Sequence, residues 1–196
     1  LNDAAATLPN SYNSVENITP LETPLSSTIN GAALATPVFL SLYAENDLRL
    51  DKYFAETDEK GFRKNKKAGS NNYLCTFRVG EIYLTAAEAA ARLGELSQAR
   101  TRLLELMRKR YAPEAYEAKS VVVNAMDKEA LVQEILDERA RELAFEGHRW
   151  FDLRRSTRPR LEKVLDGTRY VLEENDARYT LAIPKEAIEA NPGLLN

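Results

Sequence analysis

The stretch ERARELAFEGHRWFDLRR, residues 138–155, carries charge on half of its eighteen side chains and holds the only histidine and the only tryptophan of the chain. Such a density could serve acid–base chemistry, bind a charged ligand, or lock a helical framework together. A glycosidase needs two carboxylates facing each other across a sugar, about 5–9.5 Å apart. Glu138, Glu142 and Glu146 lie in one row of one helix, which meets the distance but not the opposed geometry. A di-iron carboxylate site needs two Glu-x-x-His units, and here a single His148 follows Glu146 and Gly147 at the wrong spacing. His148 could act as the base of a Ser-His-Asp site, yet no Gly-x-Ser-x-Gly nucleophile motif accompanies it. The chain is therefore read as non-catalytic, with no metal and no cofactor.

The structural reading is more specific. On a helical wheel Val132, Ile135, Leu136, Ala140 and Leu143 form one apolar stripe, with Arg139 in its middle. A guanidinium in that position cannot shed its proton, so it has to be paired, and its planar fork suits carboxylates. Glu134, Glu138, Glu142 and Glu146 recur every four residues and would repel one another unless cations interleave. Arg139, Arg149, Arg154 and Arg155 are the cations at hand, and Asp152 adds an acceptor beyond Gly147. The expected structural network is thus Glu138, Arg139, Glu142, Glu146, Arg149 and Asp152, centred on Arg139. Arg141 points the other way, one turn from Asp137, and is expected at the surface. Trp150 and Phe151 extend the apolar side, and His148 is a surface or turn residue.

What positions this segment is a mainly helical chain. Its 196 residues, 44% hydrophobic and 29% charged, suit one soluble domain or two small ones. The net charge is −3, and the basic run FRKNKK is balanced by ETDEK just before it, so nucleic acid is not an expected partner. A lone Cys75 excludes a disulfide framework and reads as a small core residue. No run approaches the roughly 18–20 apolar residues of a membrane-spanning helix. The chain starts at LNDAAATLPN with neither Met nor leader, and is read as processed or as part of something longer.

Residues 1–35, rich in Asn, Ser, Thr, Ala and Pro, read as a loop or extended arm, and 36–196 as the helical domain. Thr36 can cap a helix with Pro37 in its first turn. The polar stretch 56–72 is expected to be an exposed loop. In RVGEIYLTAAEAAARLG, Val79, Ile82, Tyr83, Ala86, Ala90 and Leu93 recur at helical spacing, and Gly94 is a natural stop. Ser97 can cap a second helix carrying Leu96, Ala99, Leu103, Leu106 and Met107 on one stripe, with Pro113 ending it. This pair sits close to tetratricopeptide spacing, and one such hairpin cannot bury both its faces, so further helices must pack on it. A third helix is expected from its Asp127 cap to Gly147. RYVLE (169–173) and RYTLAI (178–183) are expected to form a small β-hairpin around ENDA. Pro184 then opens a last helical turn that stops at Asn191-Pro192.

Three of these pieces together resemble the SusD/RagB family. Arg78, Glu81, Tyr83 and Leu84 match its Arg-x-x-Glu-x-Tyr-Leu block. Glu138, Arg139, Glu142, Leu143, Phe145, Glu146, Gly147, Arg149, Asp152 and Leu153, with Arg154 or Arg155, match its charged block. Ile183, Pro184, Asn191 and Pro192 match its terminal block, and NDLRLDKYF (46–54) resembles a further segment. The resemblance runs over roughly residues 36–194. It implies a tetratricopeptide-like α-helical scaffold with a small β-hairpin and long loops. It also implies a surface lipoprotein of the outer membrane that captures a nutrient, an oligosaccharide or polysaccharide or sometimes a peptide-derived one, and delivers it to a SusC-like TonB-dependent transporter. This chain would then be the C-terminal part, partnered by an N-terminal half that bears the lipid anchor. In the family the charged block is scaffold, and ligand contacts lie on irregular segments. Sugar sites favour exposed aromatics backed by polar side chains, which makes Tyr12, Tyr43, Tyr73 and Tyr116 the candidate glycan contacts. Two alternatives stay open: a helical-repeat scaffold that binds only protein, and a carbohydrate-active enzyme using Glu138, Glu142 or Glu146.

Overall fold

A computed structural model describes residues 1, 14–21, 34–67, 75–165, 167–191 and 193. The chain forms two compact units, Leu1–Arg149 and Trp150–Asn196. In chain order the first contains β1 (Asn17–Leu21), β2 (Leu34–Ala35), α1 (Pro37–Leu40), α2 (Leu48–Tyr53), β3 (Phe54–Thr57), β4 (Arg63–Asn65) and β5 (Cys75–Arg78). Four longer helices follow: α3 (Val79–Leu93), α4 (Leu96–Met107), α5 (Pro113–Ala125) and α6 (Lys128–Glu142). The fold is mainly α-helical, as the sequence predicts.

The helical core follows from small residues at close-packed positions. Ala87, Ala90 and Ala91 of α3 let α4 and α6 approach it closely, and Leu84, Leu103, Leu106, Leu131 and Ile135 fill the layer between them. Val123 brings α5 onto the same core. The buried face of α3 is Gly80, Leu84, Ala87, Glu88, Ala90 and Ala91, which shares Ala90 alone with the expected stripe; Leu93 is 78% exposed and Ile82 42%. The wheel for α3 was centred on its larger residues, whereas helices pack where alanines permit contact. On α4 the expected stripe of Ala99, Leu103, Leu106 and Met107 is buried.

Caps explain most of the boundaries. Thr36 accepts from the Phe39 amide with Pro37 in the first turn, Asp127 accepts from Ala130, and Gly94 adopts the left-handed conformation that ends α3 (φ 87°). Ser97, expected as a cap, sits inside α4, which starts at Leu96 after Glu95 with no side-chain cap. Pro113 does not simply end α4: the helix stops at Met107, and Pro113 opens α5, where its missing N–H costs nothing. Helix α6 ends at Glu142 rather than running to Gly147, because Phe145 (φ 62°) and Gly147 (φ 88°) turn the chain back.

The polar segment expected as a loop instead supplies strands. β4 pairs antiparallel with β2 and β3, and Asn65 and Lys67 are buried. Within the expected N-terminal arm, β1 pairs antiparallel with β5, Thr19 opposite Phe77, and Glu16 just before it is buried. Cys75 belongs to β5, but its side chain lies outside the described residues. A second core gathers Tyr43, Tyr53 and Phe54 with Phe39 and Phe145. Their rings meet edge to face, Tyr43 and Phe54 at 5.5 Å and Phe54 and Phe145 at 6.0 Å.

The second unit starts within α7 (Arg149–Arg155) and continues through β6 (Leu161–Leu165), β7 (Thr168–Leu172), a 3-10 turn at Ala177–Tyr179 and α8 (Lys185–Ala190). The expected strand at 169–173 forms, but its partner is β6, with Glu162 opposite Val171 and Lys163 opposite Tyr170. Residues 178–183 are not a strand, since Arg178 folds back on Asp176 and donates to the Val171 carbonyl. Trp150 stacks on Tyr179 at 5.2 Å, and the buried Tyr179 hydroxyl donates to the Pro159 carbonyl. Pro184 precedes α8 as expected, and Asn191 ends it. Among the described residues, no helix is long and apolar enough to cross a membrane.

The caps carry the first test. Asp127→Ala should cost about 1 kcal/mol in urea unfolding, the typical value of a lost N-cap. Ser97→Ala should leave the midpoint almost unchanged. An equal loss at both positions would contradict the assignment of the helix starts.

Candidate functional site

The glutamate row of α6 lies at the centre of a buried ionic network. Glu142 is fully buried and accepts from three guanidinium groups. Arg78 Nη1 donates to Oε1 at 2.6 Å, Arg49 Nη1 to Oε2 at 2.9 Å, and Arg110 reaches Oε2 through Nε at 2.9 Å and Oε1 through Nη2 at 3.0 Å. The three arginines come from α2, from the junction of β5 and α3, and from the turn after α4, so one carboxylate joins three elements. Glu138 accepts from Arg49 at 2.6 Å, from Arg141 at 2.8 Å and from the Tyr111 hydroxyl at 3.2 Å. Glu146 takes a two-pronged contact from Arg78, at 2.9 and 2.8 Å, and a contact from Lys67. The turn at Phe145 is what brings Glu146 back to these cations.

Two further carboxylates complete the arrangement. Glu16 accepts from Arg110 Nη2 at 2.7 and 2.9 Å. Asp47 holds Arg49 in a fork, from Nε at 2.9 Å and from Nη2 at 2.8 Å. Among the described residues Glu16, Asp47, Glu138, Glu142 and Glu146 face Arg49, Lys67, Arg78, Arg110 and Arg141, so the buried charges balance. Arg49 also lies 5.2 Å from the centre of the Tyr111 ring, and the Lys67 ammonium 4.5 Å from that of Tyr53.

Packing around the network is tight enough to exclude a methyl group. A Cβ added to Gly80 would stand 2.6 Å from Arg78 Nη1 and 3.0 Å from Glu142 Oε1. The glycine inside RVGEIYL is therefore the space that the Arg78–Glu142 pair occupies.

The electrostatics follow from burial opposed by neighbours. Burial alone would raise the pKa of Glu142, but Arg110, Arg78 and Arg49 outweigh it and hold the carboxyl well below its usual range. Glu138, by Arg49 and Arg141, and Glu146, by Arg78 and Lys67, are lowered against burial in the same way. Lys67 is drawn down to about 8, burial being the largest cause and Glu146 opposing it. Tyr53, with its hydroxyl enclosed, is raised first by burial and then by Glu142. Glu138 and Glu142 of α6, and Glu146 in the turn after it, are thus engaged bases, committed to cations.

This geometry corrects the expected network in its membership. Glu138, Glu142 and Glu146 are in it. Arg139 is buried but donates to Thr85 Oγ1 of α3 at 3.2 Å and is not the centre. Arg141, expected at the surface, is 4% exposed and pairs with Glu134 at 2.6 Å as well as with Glu138. Arg149 is exposed, and Asp152, in the second unit, pairs with Arg155 at 2.6 Å. Arg49, Arg78, Arg110, Lys67 and Glu16 were missed as partners. A helical wheel ranks neighbours on one helix and is silent about cations delivered from other elements. The one available signal was the presence of Arg49 in NDLRLDKYF and of Arg78 at the head of RVGEIYL.

Of the candidate tyrosines, Tyr12 and Tyr73 lie outside the described residues. Tyr43 is 6% exposed, its ring enclosed by Phe39 and Phe54 and its hydroxyl donating to the Arg141 carbonyl at 2.7 Å. It has no open face on which a sugar could stack. Tyr116 lies on α5 rather than in a loop, is half-buried, and lines a cleft of about 830 Å³ together with Leu104, Arg108, Tyr111, Glu117 and Asn124. Among the described residues no group of three or more His, Cys, Asp or Glu side chains could hold a metal ion.

Helix pairs packed through alanines and clamped by arginines onto one acidic helix define a tetratricopeptide-like helical scaffold. The chain belongs to the SusD family, whose sequence model matches residues 33–196. Among solved structures it is similar to a SusD-like carbohydrate binding protein from Bacteroides vulgatus ATCC 8482, with a TM-score of 0.53 and 20% identity over 80% of this chain. The match covers 40% of the Bacteroides protein, so this chain spans about two fifths of that length. No curated protein matches the chain.

Two outcomes test the network. Glu142→Gln removes the charge that three arginines share and should cost about 3–5 kcal/mol of stability, the usual range for a broken buried pair; unfolding at the wild-type urea concentration would remove Glu142 from the centre. Acid supplies the second. Because the folded carboxyls of Glu138, Glu142 and Glu146 lie below their ordinary value of 4.5, their stabilisation is complete above that pH and is withdrawn as protons bind below it. The thermal midpoint should accordingly fall steadily as the pH drops under about 4.5, and a flat profile there would count against the network.

Proposed function

We propose that this chain is the C-terminal part of an outer-membrane nutrient-binding lipoprotein that captures a glycan without cleaving it. The captured glycan passes to a SusC-like TonB-dependent transporter, and a further N-terminal portion of the protein carries the lipid anchor. Family membership supports this reading, as does the fold shared with a protein described as carbohydrate binding. The observation that carries the non-catalytic part is the state of the charged motif. Glu138, Glu142 and Glu146 are buried and each is held by cations, so none is open to protonate a leaving group or attack a sugar. Of the four candidate tyrosines, Tyr116 is the one that the described residues place at a cleft with polar walls.

Affinity electrophoresis of the chain in gels containing single polysaccharides, with released reducing sugar assayed in parallel, tests this. The expected result is retardation by at least one polysaccharide with no reducing sugar released. Hydrolysis would establish a carbohydrate-active enzyme instead. Migration unaffected by every polysaccharide, with saturable binding to the transporter, would make this chain a protein-binding scaffold.

A further inference from the structure

The cleft beside Tyr116 is lined by the buried Tyr111, by one stripe of α5 and by the end of α4. Its floor is Tyr111, buried at 3% exposure, with its hydroxyl donating to Glu138 and the Arg49 guanidinium over its ring. The floor is therefore tied to the ionic network and cannot shift without disturbing it. One wall is a stripe of α5 in which Tyr116, Glu117, Ser120 and Asn124 recur at helical spacing. Arg108, at the end of α4, lines the same cleft.

Two features of these walls point to a ligand. Arg108 and Glu117 line the same cleft and are both exposed, yet among the described residues neither makes an ion pair. Their hydrogen-bonding capacity is free. Tyr116 packs against the helical core, which fixes it, and is only partly buried, so part of it faces the cleft. A fixed aromatic with a carboxylate, a guanidinium and an amide around it matches the faces of a pyranose, which is apolar above and below and hydroxylated at its rim. The volume of about 830 Å³ falls within the range of ligand clefts.

We propose that this cleft is a carbohydrate subsite for uncharged pyranose units, a reading that rests on the glycan-binding function proposed above. Tyr116 supplies the stacking surface. Glu117 accepts from neighbouring hydroxyls, and Arg108 and Asn124 donate to hydroxyl oxygens. The class is uncharged because the cleft offers one cation and one anion. A uronate that met Arg108 would also meet Glu117, and the two effects oppose each other. Tyr111 acts as a positioning residue that holds the floor level through Glu138.

The test uses the full chain in affinity gels containing amylopectin, xyloglucan, galactomannan or polygalacturonate, with wild type run beside Tyr116→Ala, Glu117→Gln and Arg108→Gln. Tyr170→Ala, an exposed tyrosine of the second unit, is the control. The expected result is retardation of wild type and control by a neutral polysaccharide. About tenfold weaker retardation is expected for Tyr116→Ala and a clear loss for each charge variant, with all melting temperatures near wild type. Retardation that is equal in wild type and the three cleft variants would overturn the cleft while leaving the glycan-binding reading intact. Retardation by polygalacturonate alone would overturn the uncharged class. No retardation of wild type by any of the four would overturn both this subsite and the assignment of glycan binding to this chain.

Discussion

A carboxylate withdrawn from water is stable only if its surroundings replace the hydration that it loses, and Glu142 is the place where this chain meets that demand. One glutamate cannot satisfy three arginines, and three arginines cannot lie beside one glutamate without further anions. Asp47, Glu138, Glu146 and Glu16 follow as necessities, each compensating a guanidinium that Glu142 has drawn in. Once the charges are balanced, the positions of α2, β5, α3, the turn after α4 and the strand after Glu16 are set relative to α6 with hydrogen-bond precision. Hydrophobic contact alone would leave such elements free to slide. The alanine-lined contacts of α3 supply the cohesion, and the network supplies the register.

How much of this can be read from the chain depends on where the information is stored. Caps are local, and Thr36, Asp127 and Gly94 announced themselves. The stripe of α4 was legible because its large residues are its buried ones. The stripe of α3 was not, since its contact face is made of alanines and a glycine while Ile82 and Leu93 point outward. The charged segment 138–155 declared by its density that it was a network, and its glutamates were identified correctly. Its cations were not, because Arg49, Arg78 and Arg110 lie 93, 64 and 32 residues from Glu142. The expected hairpin shows the same limit: residues 178–183 have strand-forming composition, but Asp176 captures Arg178 first, and β6 is left to pair with β7.

Scaffold and recognition surface obey different rules in this molecule. Glu138, Glu142 and Glu146 of the motif that identifies the family are spent on interior ion pairs, and they are among the least accessible of the described residues. Tyr43 was absorbed into an aromatic core, whereas Tyr116 sits where α5 borders open space. A ligand site on α5 can change in sequence without touching the clamp, so long as Tyr111 and its contact with Glu138 persist.

The return of the chain at Phe145 has a kinetic meaning. Glu142 and Glu146 flank that turn, and their partners range from Glu16-bound Arg110 to Lys67, so the network closes only when distant parts of the chain arrive together. Any half-assembled state holds charges that are dehydrated but unmatched, which raises its free energy above both the folded and the unfolded forms. Partial openings of the first unit that expose one arginine are disfavoured for the same reason. The first unit should therefore come apart as a whole or not at all, and that slowness is itself a form of durability.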